Sequence, residues 1–114
     1  MAIIYHNPRC GTSRKVLQAL QDHGHQVEII EYLKQPLTRD ALAALISNAG
    51  LSVRDAVRSK EALYTELGLD DPAVDDETLL QAMEAHPILM NRPFAITDKG
   101  TRLCRPAELV QEIL

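Results

Sequence analysis

A strand, a helix and a second strand fit into the first 32 residues, and that alternation constrains the fold more than any other feature of the chain. Ile3-Ile4-Tyr5 is a short β-prone run that stops at His6-Asn7-Pro8, where Pro fixes the backbone and Asn favours a turn. Val16, Leu17 and Leu20 then recur at helical spacing, with Thr12 or Ser13 available as a cap and Gly24 as a stop, which predicts a helix over residues 13–23. Val27 to Tyr32 returns to strand character. Two strands joined by one helix of this length form a parallel pair with a right-handed crossover.

The middle of the chain reads differently. From Leu37 to Ala85 the signals are helical: Leu42, Leu45 and Ile46, a stop at Gly50, then segments over 52–59, 60–67 and 75–85, the last opened by Asp75, Asp76 and Glu77. After His86-Pro87, Phe94 to Thr97 and Thr101 to Cys104 flank the turn Asp98-Lys99-Gly100 and predict a hairpin. Pro106 is placed to open a terminal helix at its first position. The order is βαβ, helices, ββα. It predicts an α/β, thioredoxin-like fold with a mixed four-stranded sheet, in a single domain over 1–114 with a helical insertion at about 37–86 between the two halves.

Composition narrows the chemistry. A net charge of −4 and three Tyr, one Phe and no Trp argue against a broad nucleic-acid or anionic-lipid surface, so an anion must be bound locally. The means are present, because eight of the twelve cationic residues are Arg, whose planar fork grips oxyanions. No window approaches a membrane span, no basic and apolar leader opens the chain, and a cytoplasmic protein is expected. His23, His25 and His86 share no ligand spacing, so no metal site is expected.

Two cysteines more than ninety residues apart form neither a disulfide framework nor a CxxC pair. Cys104 sits at an alternating hairpin position that suits core packing. Cys10 precedes the first helix, where the helix terminus and its free N–H groups can stabilise a thiolate. His6, Arg9 and Arg14 are near enough in sequence to add positive potential, with His6 the leading contributor. Cys10-Gly11-Thr12-Ser13 ends in Ser, so a dithiol cycle is not available there and reductant must come from outside.

Sheet direction adds two more residues. With the third strand antiparallel to the first, the end of strand one, the start of strand three and the end of strand four meet at one edge. Those points are the Cys10 loop, Arg92-Pro93 and Arg105 before Pro106, so two arginines from distant sequence are expected beside the thiol. Pro93 stands where a cis peptide would let the backbone approach the thiol.

Tyr5-His6-Asn7-Pro8-Arg9-Cys10-Gly11-Thr12-Ser13-Arg14 resembles the active-site segment of the glutaredoxin-coupled arsenate reductases. The resemblance continues through Glu31-Tyr32-Leu33, Glu66-Leu67-Gly68-Leu69, His86 to Pro93 and Gly100 to Pro106. It implies that Cys10 attacks arsenate, that His6 lowers the thiol pKa, that Ser13 supports it by a hydrogen bond, and that Arg58, Arg92 and Arg105 bind the oxyanion. Arg58 comes from the resemblance alone, and Arg54 stands one helical turn away. The resemblance also implies glutathione as co-substrate, glutaredoxin as partner and no bound cofactor, and a monomer is expected. Two alternatives accompany this reading. One is a glutathione-dependent thiol reductase without arsenate activity; the other is a regulator resembling the Spx proteins, which bind RNA polymerase.

Overall fold

The strand and helix pattern is realised in a computed structural model that describes all residues from Met1 to Leu114. In chain order the regular elements are β1 (Ala2–Tyr5), α1 (Gly11–Asp22), β2 (Val27–Ile30), α2 (Arg39–Asn48), α3 (Val53–Ala56), α4 (Ala62–Glu66), α5 (Asp76–Ala85), β3 (Phe94–Thr97) and β4 (Gly100–Leu103). Short 3-10 segments cover Pro87–Leu89 and Ala107–Ile113. No helix is long and apolar enough to cross a membrane.

The chain divides into two units. The first comprises Met1–Gln35 and Arg92–Leu114 and contains the sheet, in the order β2-β1-β3-β4. β1 pairs in parallel with β2, Tyr5 opposite Ile30, and antiparallel with β3, Tyr5 opposite Phe94; β3 and β4 form the hairpin, Phe94 opposite Leu103. This is the thioredoxin-like, mixed four-stranded sheet that the element order predicts. Its core forms because strands bury alternate residues and α1 buries one stripe. Ala2, Ile4 and Ala95 from the sheet meet Val16 and Leu20 from α1, with Cys104, Val110 and Ile113 completing the cluster. Each fully buried Val, Leu or Ile in it contributes about 1.5–3 kcal/mol of transfer free energy.

The second unit, Pro36–Asn91, holds α2 to α5 around Leu42, Leu45, Ile46, Leu79, Leu80 and Met83. Thr38 caps α2 by accepting from the Ala41 N–H, and Asp75 caps α5 by accepting from the Thr78 N–H.

Four expectations are corrected. Helix one starts at Gly11 with Cys10 as its N-cap residue, not Thr12 or Ser13, because the Ser13 hydroxyl is engaged elsewhere. β2 ends at Ile30 rather than Tyr32, since the Glu31 carbonyl accepts the N–H groups of Lys34 and Gln35 and turns the chain. The segment expected to be helical to Ser59 stops at Ala56, because Val57 bridges Met90, the Arg58 N–H donates to the Leu89 carbonyl, and the Asn91 N–H donates to the Ala56 carbonyl. Finally, the terminal segment is a 3-10 helix with Pro106 at its N-cap. Ala107, Val110 and Ile113 fall every third residue, so a three-residue turn stacks all three in line against the core.

Candidate functional site

The loop from β1 to α1 carries the nucleophile, and hydrogen bonds fix its shape. The Cys10 N–H donates to the Asn7 carbonyl at 3.0 Å, closing a turn over Pro8 and Arg9, and the Arg14 N–H donates to the Cys10 carbonyl at 3.0 Å, starting the helix. Cys10 thus stands at the N-cap, a place usually taken by a side-chain oxygen acceptor; it makes no such capping bond and its residue is 8% exposed. α1 has no acidic residue in its first turn, so a thiolate meets the helix start without a competing carboxylate.

Two arginines reach the sulfur from the far side of the chain. Arg92 precedes β3 and Arg105 follows β4, both before prolines in cis peptide linkage. Arg105 Nη1 stands 3.7 Å from Cys10 Sγ and donates to the Arg92 carbonyl at 3.1 Å. Burial by itself raises the thiol pKa, but the Ser13 backbone N–H and the guanidinium groups of Arg92 and Arg105 favour the anion more strongly, and the pKa falls to about 7. A substantial thiolate fraction at neutral pH follows, with two cations beside it.

His6 works differently from the expectation. It is buried, and burial lowers its pKa against the field of Glu31 and together with that of Arg14, so the ring is mainly neutral at neutral pH. Its Nδ1 lies 2.6 Å from Ser13 Oγ, and the same oxygen accepts from the Asn7 N–H at 3.1 Å. His6 therefore holds the loop rather than charging it. Arg9 and Arg14 are exposed, and Arg14 Nη1 donates to the Pro8 carbonyl at 2.8 Å. The positive potential at the sulfur comes from Arg92 and Arg105.

Arg58 lies in the second unit just after α3, its Nε 3.5 Å from Glu61 Oε1. Its neighbour Arg54 is committed to the fold: Nη1 donates to Tyr64 Oη and the Leu69 carbonyl at 3.0 and 2.8 Å, and Nη2 to the carbonyls of Asp71 and Val74 at 3.2 and 3.0 Å. Cys104 is fully buried in the core of the first unit, and burial pushes its thiol up to about 12. It is packing, as its place in the hairpin suggests.

Cys10, His6, Ser13, Arg92 and Arg105 are thus brought together in one unit, while Arg58 is described with the other. Sequence reading missed the Ser13 backbone N–H as a group that favours the Cys10 anion, and Asn7 as a partner of the loop. Asn followed by Pro was the available signal, since that pair initiates turns.

Comparison with known proteins bears on the family and the fold. The model of the ArsC family matches residues 5–113. An arsenate reductase of Rhizobium meliloti is 54% identical over 111 residues, covering 97% of this chain and 79% of that protein. One from Escherichia coli K12 is 50% identical over 111 residues with the same coverage. Among solved structures, an arsenate reductase from Vibrio cholerae superposes with a TM-score of 0.94 at 40% identity, covering 99% of this chain and 97% of that one.

Proposed function

The chain belongs to the ArsC family, and we propose that it reduces arsenate to arsenite, with Cys10 as the nucleophile and glutathione and glutaredoxin as the source of electrons. The observation that carries the reading is Arg105 Nη1 at 3.7 Å from a thiol whose pKa lies at about 7. A thiolate and an oxyanion repel, and preorganised guanidinium groups offset that repulsion while stabilising the charge that develops as the bond forms.

In the proposed sequence the S–As bond forms at Cys10 as an As–O bond breaks, the oxygen leaving as water. A glutathione thiol then displaces a second oxygen of the arsenic as water, giving an adduct in which As(V) is bonded to both Cys10 and glutathione. The glutaredoxin thiolate attacks the glutathione sulfur, forming a mixed disulfide as the glutathione–arsenic bond breaks and its electron pair reduces As(V) to As(III); water then displaces Cys10 from the arsenic, releasing arsenite and returning the thiol. Arg92 and Arg105 bind the oxyanion in this reading, with Arg58 as the third arginine of the family pattern. His6 and Ser13 keep the loop in shape, and no resident cofactor is required.

The test is arsenate-dependent NADPH oxidation with glutathione, glutaredoxin and glutathione reductase supplied, comparing the native protein with Cys10→Ser. Turnover that disappears with the thiol supports the proposal. Absence of turnover in native protein whose Cys10 is shown to be reduced and reactive would overturn it in favour of thiol exchange without arsenate.

A further inference from the structure

We propose that Asn7 is a positioning residue for the thiol, acting through the loop rather than on the substrate. Three bonds converge on this buried residue. Its side-chain Oδ1 accepts from the Arg9 N–H at 3.0 Å, its carbonyl accepts from the Cys10 N–H at 3.0 Å, and its own N–H donates to Ser13 Oγ at 3.1 Å. The first two close the turn that delivers Cys10 to the helix start. The third ties the beginning of that turn to the residue whose backbone N–H serves the sulfur.

The side chain is the adjustable part of this arrangement. Any residue but proline at position 7 supplies a backbone carbonyl and N–H, but an acceptor three bonds beyond Cα, set to receive the N–H two residues on, is a property of Asn and Asp, which Ser and Thr imitate more weakly with an oxygen one bond nearer. Pro8 contributes no N–H, so the Arg9 N–H is the first donor after Asn7 that a side chain can hold. Without that bond the Pro8-Arg9 segment is free to open. Cys10 then loses its fixed direction toward the Ser13 N–H, Arg92 and Arg105, the three groups that favour its anion.

The inference rests on the reading of Cys10 as the reactive thiol, and its test does not depend on arsenate. Full-length Asn7→Ala, Asn7→Gln and Asn7→Ser proteins are treated with iodoacetamide across pH 5–10, with the labelled peptide identified by mass spectrometry so that Cys10 is separated from Cys104. Asn7→Gln keeps the amide but carries its oxygen one methylene too far, whereas Asn7→Ser keeps an acceptor one bond nearer the backbone that can still close the turn, more weakly. In Ala and Gln the half-maximal pH for Cys10 labelling should rise by about one unit, which at pH 7 slows labelling about five-fold. Ser should recover part of that loss.

A profile unchanged in folded Ala and Gln proteins, whatever their melting temperatures, overturns the proposal, because a merely structural Asn7 would lower stability without moving the titration. Should Asn7→Ala not fold, the comparison of Gln with Ser decides alone: equal profiles overturn the proposal and separated profiles support it. Native protein that labels as described but turns over no arsenate would leave Asn7's role standing and remove the proposed substrate.

Discussion

Each side chain around Cys10 has a separable task, and single substitutions should separate them. Arg105 touches the sulfur and the Arg92 carbonyl, so Arg105→Ala should remove an electrostatic donor. Arsenate turnover should fall about 10²–10³-fold, some 3–4 kcal/mol in the barrier, with melting little changed. The sign of the pH dependence follows from the cause. The thiolate is the reactive form, so Cys10 labelling in native protein should rise through pH 7 and level off above it, and in Arg105→Ala the midpoint should move upward, toward the ordinary thiol value. Ser13→Ala should behave differently. Its hydroxyl is fully buried between His6 Nδ1 and the Asn7 N–H, and removing it orphans both, costing about 1–3 kcal/mol in urea denaturation. The role of His6 was the part of this cluster that proximity alone misread. Closeness in sequence suggested a cation, whereas burial, which no local pattern announces, makes the ring neutral.

At the level of elements, legibility followed periodicity. The βαβ start and the hairpin were readable because alternation, the stop at Gly24 and the turn at Asp98 to Gly100 are local signals, and the meeting of Arg92 with Arg105 followed from strand direction alone. Of the boundaries that slipped, the end of β2 was set by a local turn at Glu31 and the end of α3 by a distant partner. Val57 leaves its helix to bridge Met90, and the terminal segment, a 3-10 helix, buries Val110 and Ile113. Arg54 and Arg58, one helical turn apart, could not be told apart by spacing. The structure distinguishes them by what they hold, and so should mutation. Arg54→Ala strips donors from three carbonyls and the Tyr64 hydroxyl and should cost about 2–4 kcal/mol of stability, while the pH profile of Cys10 labelling stays where it is.

For the molecule as a whole, its two thiols report on opposite properties. Cys10 reports the chemistry of the site, and Cys104, fully buried with its pKa pushed up to about 12, reports opening of the core in which it sits. Labelling of Cys104 at neutral pH should therefore be slow in native conditions and accelerate with added denaturant in step with loss of the folded signal. Rapid labelling without denaturant would show that the core of the first unit opens locally.

Ser13 also bears on where this loop can go in evolution. One residue serves in two directions, its backbone toward the sulfur and its hydroxyl toward His6 and Asn7. Exchanging it for cysteine is a single step on paper and would create the spacing of a dithiol oxidoreductase. The larger, weakly bonding sulfur would fit poorly between the His6 ring and the Asn7 N–H, so the step carries a cost in stability from the start. A lineage that starts from this loop is held to one thiol by the way its neighbours pack, before selection on the reaction has any say.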